Sequence, residues 1–190
     1  MKFEQSETLQ HVINAFAGES MSRNRYTFYS KVAQKEGYEQ IAEVFLDTAD
    51  NEKEHAKLFY KYIPMKEHIN VNSVYPFFMG NTYDNLMAAA KNEREEWEYT
   101  YKKSAQIAKE DGFDDIFKLF SNIVEIEKHH AHRFETLADK LANHCLFEKN
   151  EQSQWICRKC GHILISQKAP DECPVCKHPK GYFQLFNEIY

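Results

Sequence analysis

Glutamate and histidine recur on this chain at three-residue spacing in widely separated places: Glu52 with His55, Glu93 with Glu96, and Glu127 with His130, joined by a single Glu19 on an earlier segment. Residues three apart share one face of an α-helix, about 4.5 Å apart along its axis, so each pair can aim two donor groups at one point. Five carboxylates and two imidazoles meeting inside a helical bundle would repel one another and resist desolvation unless cations sat among them. Glu from two helices with Glu-x-x-His from the other two is the ligand pattern of a di-iron carboxylate site in a four-helix bundle.

A chain with 29 acidic residues contains such pairs by chance, and most lie on solvated faces. An internal repeat argues against chance here. Under a shift of 75 residues, Gly37-Tyr38 falls on Gly112-Phe113, Ile41 on Ile116, and Phe45 on Phe120. Glu52 then meets Glu127, His55 meets His130, and Phe59 meets Phe134, with no gap. The acids keep register with apolar core positions, as two copies of a helical hairpin would require.

Breakers divide the chain into helical segments of about 7–36, 38–62, 85–110 and 114–145, with Gly37, Pro64 and Gly112 as stops. Between the second and third lies a stretch of about 20 residues containing Val71, Val74, Tyr75, Phe77 and Phe78. A structureless loop of that length is uncommon within a domain. It suits the long crossover of a ferritin-like bundle, with its apolar residues packed along the outside. The expected organisation is a bundle over residues 1–147, a polar linker over 148–153, and a separate small unit over 154–190.

That last unit carries Cys157-x-x-Cys160 and Cys173-x-x-Cys176, separated by 12 residues. Four thiolates on two tight turns suit a tetrahedral Zn²⁺ or a single iron, and the spacing does not separate the two. The net charge of −5 gives no reason to expect nucleic acid or an anionic membrane surface as partner. The acidic N-terminus lacks a signal peptide's apolar stretch, and no apolar run is long enough to span a membrane, so a soluble cytoplasmic protein is expected.

With these residues in place, the chain resembles the rubrerythrin family over nearly its whole length. Ala15-Phe16-Ala17-Gly18-Glu19-Ser20 followed by Arg23-Asn24-Arg25-Tyr26 resembles the family's first-helix motif. Asn51-Glu52-Lys53-Glu54-His55-Ala56, Glu93-x-x-Glu96-Trp97 and Glu127-Lys128-His129-His130 resemble the other three, and the cysteine pairs resemble its rubredoxin-like module. Lys177 departs from the pattern, standing where the knuckle usually has glycine for a positive φ; Gly161 keeps it.

The resemblance implies an all-α ferritin-like four-helix bundle with a small rubredoxin-like domain. It implies a non-haem di-iron peroxidase of oxidative-stress defence, reducing hydrogen peroxide to water. Electrons would come from NADH through a reductase, often by way of rubredoxin. Iron rather than zinc is implied at Cys157, Cys160, Cys173 and Cys176, giving three Fe per chain: a di-iron oxo centre and one four-cysteine iron. A homodimer or larger homo-oligomer is also implied, with one subunit's module serving its neighbour's di-iron centre.

In this scheme Glu52 and Glu127 are the bridging carboxylates, Glu19 and Glu93 terminal ligands, and His55 and His130 one ligand to each metal. Glu96 is the surplus ligand, which the resemblance implies is exchanged for His55 between redox states. Five Glu with two Fe²⁺ carry a formal −1, and two Fe³⁺ with an oxo bridge carry the same, so the site can give up two electrons with no lasting change in buried charge. A ferroxidase or iron-handling protein would use a similar bundle site, but mineralisation has no need of a one-electron carrier. A zinc-ribbon binding protein would have no need of the complete bundle ligand set.

Tyr26 and Tyr101 are related by the repeat and follow Glu19 and Glu93 by about two turns. The resemblance suggests that their hydroxyls hydrogen-bond ligand carboxylates; two core tyrosines bonded elsewhere is the competing reading. His129 and His132 point away from His130's face and are expected outside the ligand set. Glu19 to Tyr26 spans seven residues while Glu93 to Tyr101 spans eight. If both pairs address equivalent places, the third helix holds one extra residue, which predicts a π-bulge with an i→i+5 hydrogen bond between Glu93 and Tyr101.

Overall fold

A computed structural model describes residues 2–64 and 68–187. Part of the crossover (65–67) and the end of the expected C-terminal unit (188–190) lie outside the described residues. Helices α1 (Glu7–Lys35), α2 (Glu39–Tyr60), α3 (Thr82–Glu95), α4 (Tyr101–Glu110) and α5 (Asp114–Ala142) build the bundle, α3 and α4 being one long helix joined through a π-helical turn at Glu96–Thr100. The Tyr101 N–H donates to the Glu96 carbonyl, five residues back. The extra residue therefore sits where the unequal Glu-to-Tyr spacings placed it.

Both hairpin turns use the same device. Gly37 and Gly112 take φ of 81° and 86°, the left-handed region where a side chain would be strained. Tyr38 N–H then reaches the Ala33 carbonyl, and Phe113 N–H the Ala108 carbonyl, closing the helix ends. At the other ends, Ser6 caps α1 by accepting from Leu9 N–H, and Asn81 caps α3 by accepting from Asp84 N–H. The Asn81 cap starts the third helix at Thr82, three residues ahead of the expected 85.

The repeat becomes an approximate two-fold pairing in the core. Phe45 packs on Phe134 with ring centroids 5.2 Å apart, and their repeat equivalents Phe120 and Phe59 pack at 4.8 Å. Tyr26 joins the first pair and Tyr101 the second. These two apolar clusters are separate, and the Glu and His residues lie between them in sequence on every helix. Among the described residues no helix is long and apolar enough to cross a membrane.

The crossover runs along α1, but most of its apolar residues do not pack against the bundle as expected. Val74 is 100% exposed, Phe77 91% and Phe78 48%, while Tyr75 is half-buried. Tyr75 hydroxyl meets Ser22 Oγ at 2.9 Å, and its ring lies 4.8 Å from the Arg25 guanidinium carbon. With the Tyr29 hydroxyl donating to the Phe78 carbonyl at 2.8 Å, these polar contacts hold the segment and leave most of its apolar residues facing out.

Beyond α5 the chain forms a three-stranded antiparallel sheet in the order β2-β1-β3, from β1 (Glu148–Cys157), β2 (Ile163–Lys168) and β3 (Phe183–Leu185). The polar stretch 148–153, expected as a linker, is instead the first half of β1. Its register slips between Glu148 and Ser153, and none of its residues is buried, so no period-two pattern marks it as strand. Trp155 and Phe183 fill the small core of this module.

The module rests on the α1–α2 turn of the same chain. Gly181 lies against the Gly37 carbonyl so closely that a Cβ would collide with it, Arg158 pairs with Glu43, and Tyr38 stacks on Phe147. Its two cysteine knuckles match: Gly161 N–H donates to the Cys157 carbonyl at 2.8 Å, and Lys177 N–H to the Cys173 carbonyl at 3.0 Å. Gly161 has φ 76° and Lys177 φ 62°, so the lysine holds a backbone that glycine adopts freely.

Relieving that left-handed strain is worth about 1–2 kcal/mol, and glycine's extra unfolded-state freedom takes back about 0.5–1. Lys177→Gly should therefore stabilise the metal-loaded module by about 0.5–1 kcal/mol in guanidinium unfolding followed through its visible absorbance. A loss of stability would show that the lysine side chain, which pairs with Glu172, outweighs the strain.

Candidate metal centres

The middle of the bundle collects Glu19 from α1, Glu52 and His55 from α2, Glu93 from α3, and Glu127 and His130 from α5, all buried. Their donor atoms fall into two overlapping groups: Glu19, Glu52, His55 and Glu127; and Glu52, Glu93, Glu127 and His130. Within each group one donor atom per residue lies within 4.8 Å of every other. Glu52 and Glu127 belong to both groups, the place a carboxylate shared by two cations would take. Glu96 belongs to neither; it is half-buried at the start of the π-helical turn.

Both imidazoles present Nδ1 to the cluster. His55 Nδ1 lies 3.0 Å from Glu52, 3.0 Å from Glu127 and 3.7 Å from Glu19. His130 Nδ1 lies 2.8 Å from Glu127, 3.2 Å from Glu52 and 3.6 Å from Glu93. The other nitrogen of His130 lies 3.2 Å from Asn51 Oδ1, which can accept its N–H and so orient the ring with Nδ1 free to bind a cation.

The tyrosines reach ligand carboxylates crosswise. Tyr26 of α1 donates to Glu93 of α3, and Tyr101 of α4 donates to Glu19 of α1 at 2.7 Å. Burial, then the charge of the carboxylate each one bonds, raises both phenols well above their usual range, so they keep the protons they donate to those carboxylates. Behind Tyr26, Arg25 lies across the Tyr26, Tyr29 and Tyr75 rings and donates to the Tyr26 hydroxyl. His129 and His132 are exposed.

The polar atoms of the cluster are left wanting a cation. Glu19 Oε2, Glu52 Oε1, Glu93 Oε2 and Glu127 Oε1 are buried and accept no hydrogen bond. Burial and the neighbouring Glu52 push the Glu19 carboxyl up to about 8, and burial with Glu19 and Glu93 pushes Glu127 up to about 7. Despite burial, the hydrogen bond to Glu127 and the nearby Glu52 and Glu93 carboxylates raise His130 to about 12. The cluster thus holds protons where it lacks metal, and metal binding must displace them. Two divalent cations fit this donor set, four orphaned oxygens included.

In the C-terminal module the four sulfurs lie within 4.8 Å of one another, with Cys157–Cys176 and Cys160–Cys173 both at 3.7 Å. A tetrahedron of metal–sulfur bonds about 2.3 Å long has edges of about 3.8 Å. Although burial opposes it, backbone N–H groups of Cys176 and Val175 lower the Cys173 thiol to about 7. Cys157 and Cys173 are buried while Cys160 is exposed, so one edge of the site faces solvent.

Because Glu52 and Glu127 serve both groups, losing either leaves two cations with too little charge between them. Glu52→Ala and Glu127→Ala should each purify with the four-cysteine metal retained and fewer than one metal in the bundle. Two tightly held bundle metals in either variant would overturn the bridging assignment.

The rubrerythrin family model matches residues 11–138, and the model of the rubredoxin-like domain of rubrerythrin matches residues 155–184. Rubrerythrin-1 of Clostridium acetobutylicum is 43% identical over 189 residues, covering 97% of each chain. Rubrerythrin of Porphyromonas gingivalis is 44% identical, covering 97% of this chain and 92% of that one. A nigerythrin solved in its fully reduced, all-ferrous state superposes with a TM-score of 0.65 at 26% identity, over 97% of this chain and 91% of that one. Mycobacterium tuberculosis bacterioferritin, at 18% identity and a TM-score of 0.64 over 72% of this chain and 87% of that one, shares the fold alone. The bundle cluster is a di-iron carboxylate site and the four cysteines a rubredoxin-like iron site, three irons per chain. Both parts match in the order in which the chain carries them, and the chain belongs to the rubrerythrin family.

Proposed function

We propose that the protein is a peroxidase that reduces hydrogen peroxide to water, with electrons delivered through the four-cysteine iron from an NADH-dependent reductase, directly or by way of rubredoxin. The carrying observation is the union on one chain of a buried two-cation carboxylate cluster and a one-electron four-sulfur site with an exposed edge. When bound, the ferrous pair supplies the two electrons that, with two protons, convert one hydrogen peroxide into two waters. The residues supply the positions. Without cations beside it, burial, then the charges of Glu93 and the other carboxylates, holds the Glu96 carboxyl well above its usual range. Tyr26 and Tyr101 fix the terminal carboxylates Glu93 and Glu19. His55 stands within the donor set and Glu96 outside it, an arrangement compatible with exchange of one for the other as the redox state changes.

Homo-oligomerisation belongs to the same reading. The module sits at the Gly37 end of the bundle, while Glu52 lies 13 residues along α2 from its start at Glu39, about 20 Å at 1.5 Å per residue. Electron tunnelling weakens steeply over such a distance, so a neighbouring subunit's module is the better donor. The outward-facing Val74, Phe77, Phe28 and Met79 supply apolar surface for an assembly of that kind. A cytoplasmic location fits a chain whose paired cysteines serve as metal ligands and not as disulfides. An iron-storage role has no comparable support, because it leaves the four-sulfur site without a task.

Cys160→Ala separates electron supply from chemistry, since its exposed position leaves no buried cavity behind. The chemically reduced variant should consume one equivalent of peroxide per di-iron site, while steady turnover with NADH and a reductase falls at least a hundredfold. Undiminished NADH-driven turnover would show that electrons enter the bundle without the module.

A further inference from the structure

A cavity of about 290 Å³ lies beside the di-iron cluster, between α1, the π-helical turn and the crossover. Glu96 and Tyr101 line its inner side, and crossover residues 72–76 form its roof. The roof is pinned by Tyr75, through its hydroxyl contact to Ser22 and the Arg25 guanidinium over its ring. Polar groups face the space. Asn92 is 6% exposed, and its amide Nδ2 has no hydrogen-bond partner among the described residues. His11 and Ser104 meet across the cavity's outer part, with Nδ1 and Oγ 2.8 Å apart.

Gly18 forms part of the same wall, one residue before the ligand Glu19. It sits in the interior of α1, where glycine is unfavourable relative to alanine because it gives up more backbone freedom on folding. Its φ is not in the left-handed region, and a Cβ built on it would meet nothing within 4 Å. Neither backbone strain nor a close approach explains the glycine. What a side chain there would do is fill the cavity.

We propose that this cavity is the entry chamber by which peroxide reaches the di-iron site, that Gly18 keeps it open, and that the free amide of Asn92 offers the incoming oxygen a hydrogen bond. Hydrogen peroxide donates and accepts hydrogen bonds, so it suits a space bounded by an unpaired N–H, a hydroxyl and a carboxyl. The inference rests on the peroxidase reading for its substrate, though not for the existence of the route.

The test compares the iron-loaded full chain with Gly18→Leu and Asn14→Phe. Asn14 lines the same wall one turn earlier and gives up only an exposed hydrogen bond to Gln10. Two stopped-flow rates are read: oxidation of the reduced protein by hydrogen peroxide, and association of azide with the oxidised protein, followed by its absorption band. Both rates should fall at least tenfold in both variants, with iron content and the resting spectrum unchanged. Gly18→Ala should raise the melting temperature and slow both rates less than leucine does. If azide entry slows in the variants while the wild type ignores peroxide, the chamber stands and the peroxidase reading falls. If an iron-replete variant keeps both rates within twofold of wild type, the chamber is overturned.

Discussion

The compensation of buried negative charge governs this structure more than any other interaction. Four fully buried glutamates, with Glu96 beside them, occupy the middle of a bundle whose two ends are filled by aromatic rings. A low-dielectric core would tolerate such a group only by protonating it or by giving it cations. The protein does some of the first, as the raised Glu19 and Glu127 carboxyls show, and is built for the second. The helical hairpins, their glycine stops and the inward face of every helix follow from bringing these groups to one place while keeping the apolar clusters dry on either side.

Much of this was legible in the chain. The three-residue spacings name a helix face, and the 75-residue repeat ties that face to the core, so the six donors of the two metal groups and both glycine turns could be read before any coordinates. The unequal Glu-to-Tyr spacings even located the π-helical turn. What could not be read depends on contacts between segments. No local pattern sets Arg25 across three tyrosine rings, or Asn51 behind His130. The strand through 148–153 has no buried face and hence no periodicity. The crossover was misjudged because apolar residues suggest packing without saying against what, and here Val74 and Phe77 point away from their own chain.

The departures from two-fold symmetry are where the chemistry lies. Phe45 and Phe120, Phe59 and Phe134, Gly37 and Gly112, and the two Glu-x-x-His pairs all obey the repeat, and they build a scaffold that could hold two equivalent cations. The one added residue in the third helix breaks that equivalence. It carries Tyr101 round to Glu19, matching the bond that Tyr26 makes to Glu93, so the hydrogen-bonding symmetry survives the insertion. Glu96, at the start of the π-helical turn, has no counterpart on α1 under the repeat, since position 21 is Met. The same turn supplies Glu96 and Thr100 to the cavity wall facing Gly18. A duplicated hairpin accounts for where the six donors sit; a single extra residue on one copy sets a fifth carboxylate, Glu96, and a cavity beside them, and a symmetric bundle would have neither.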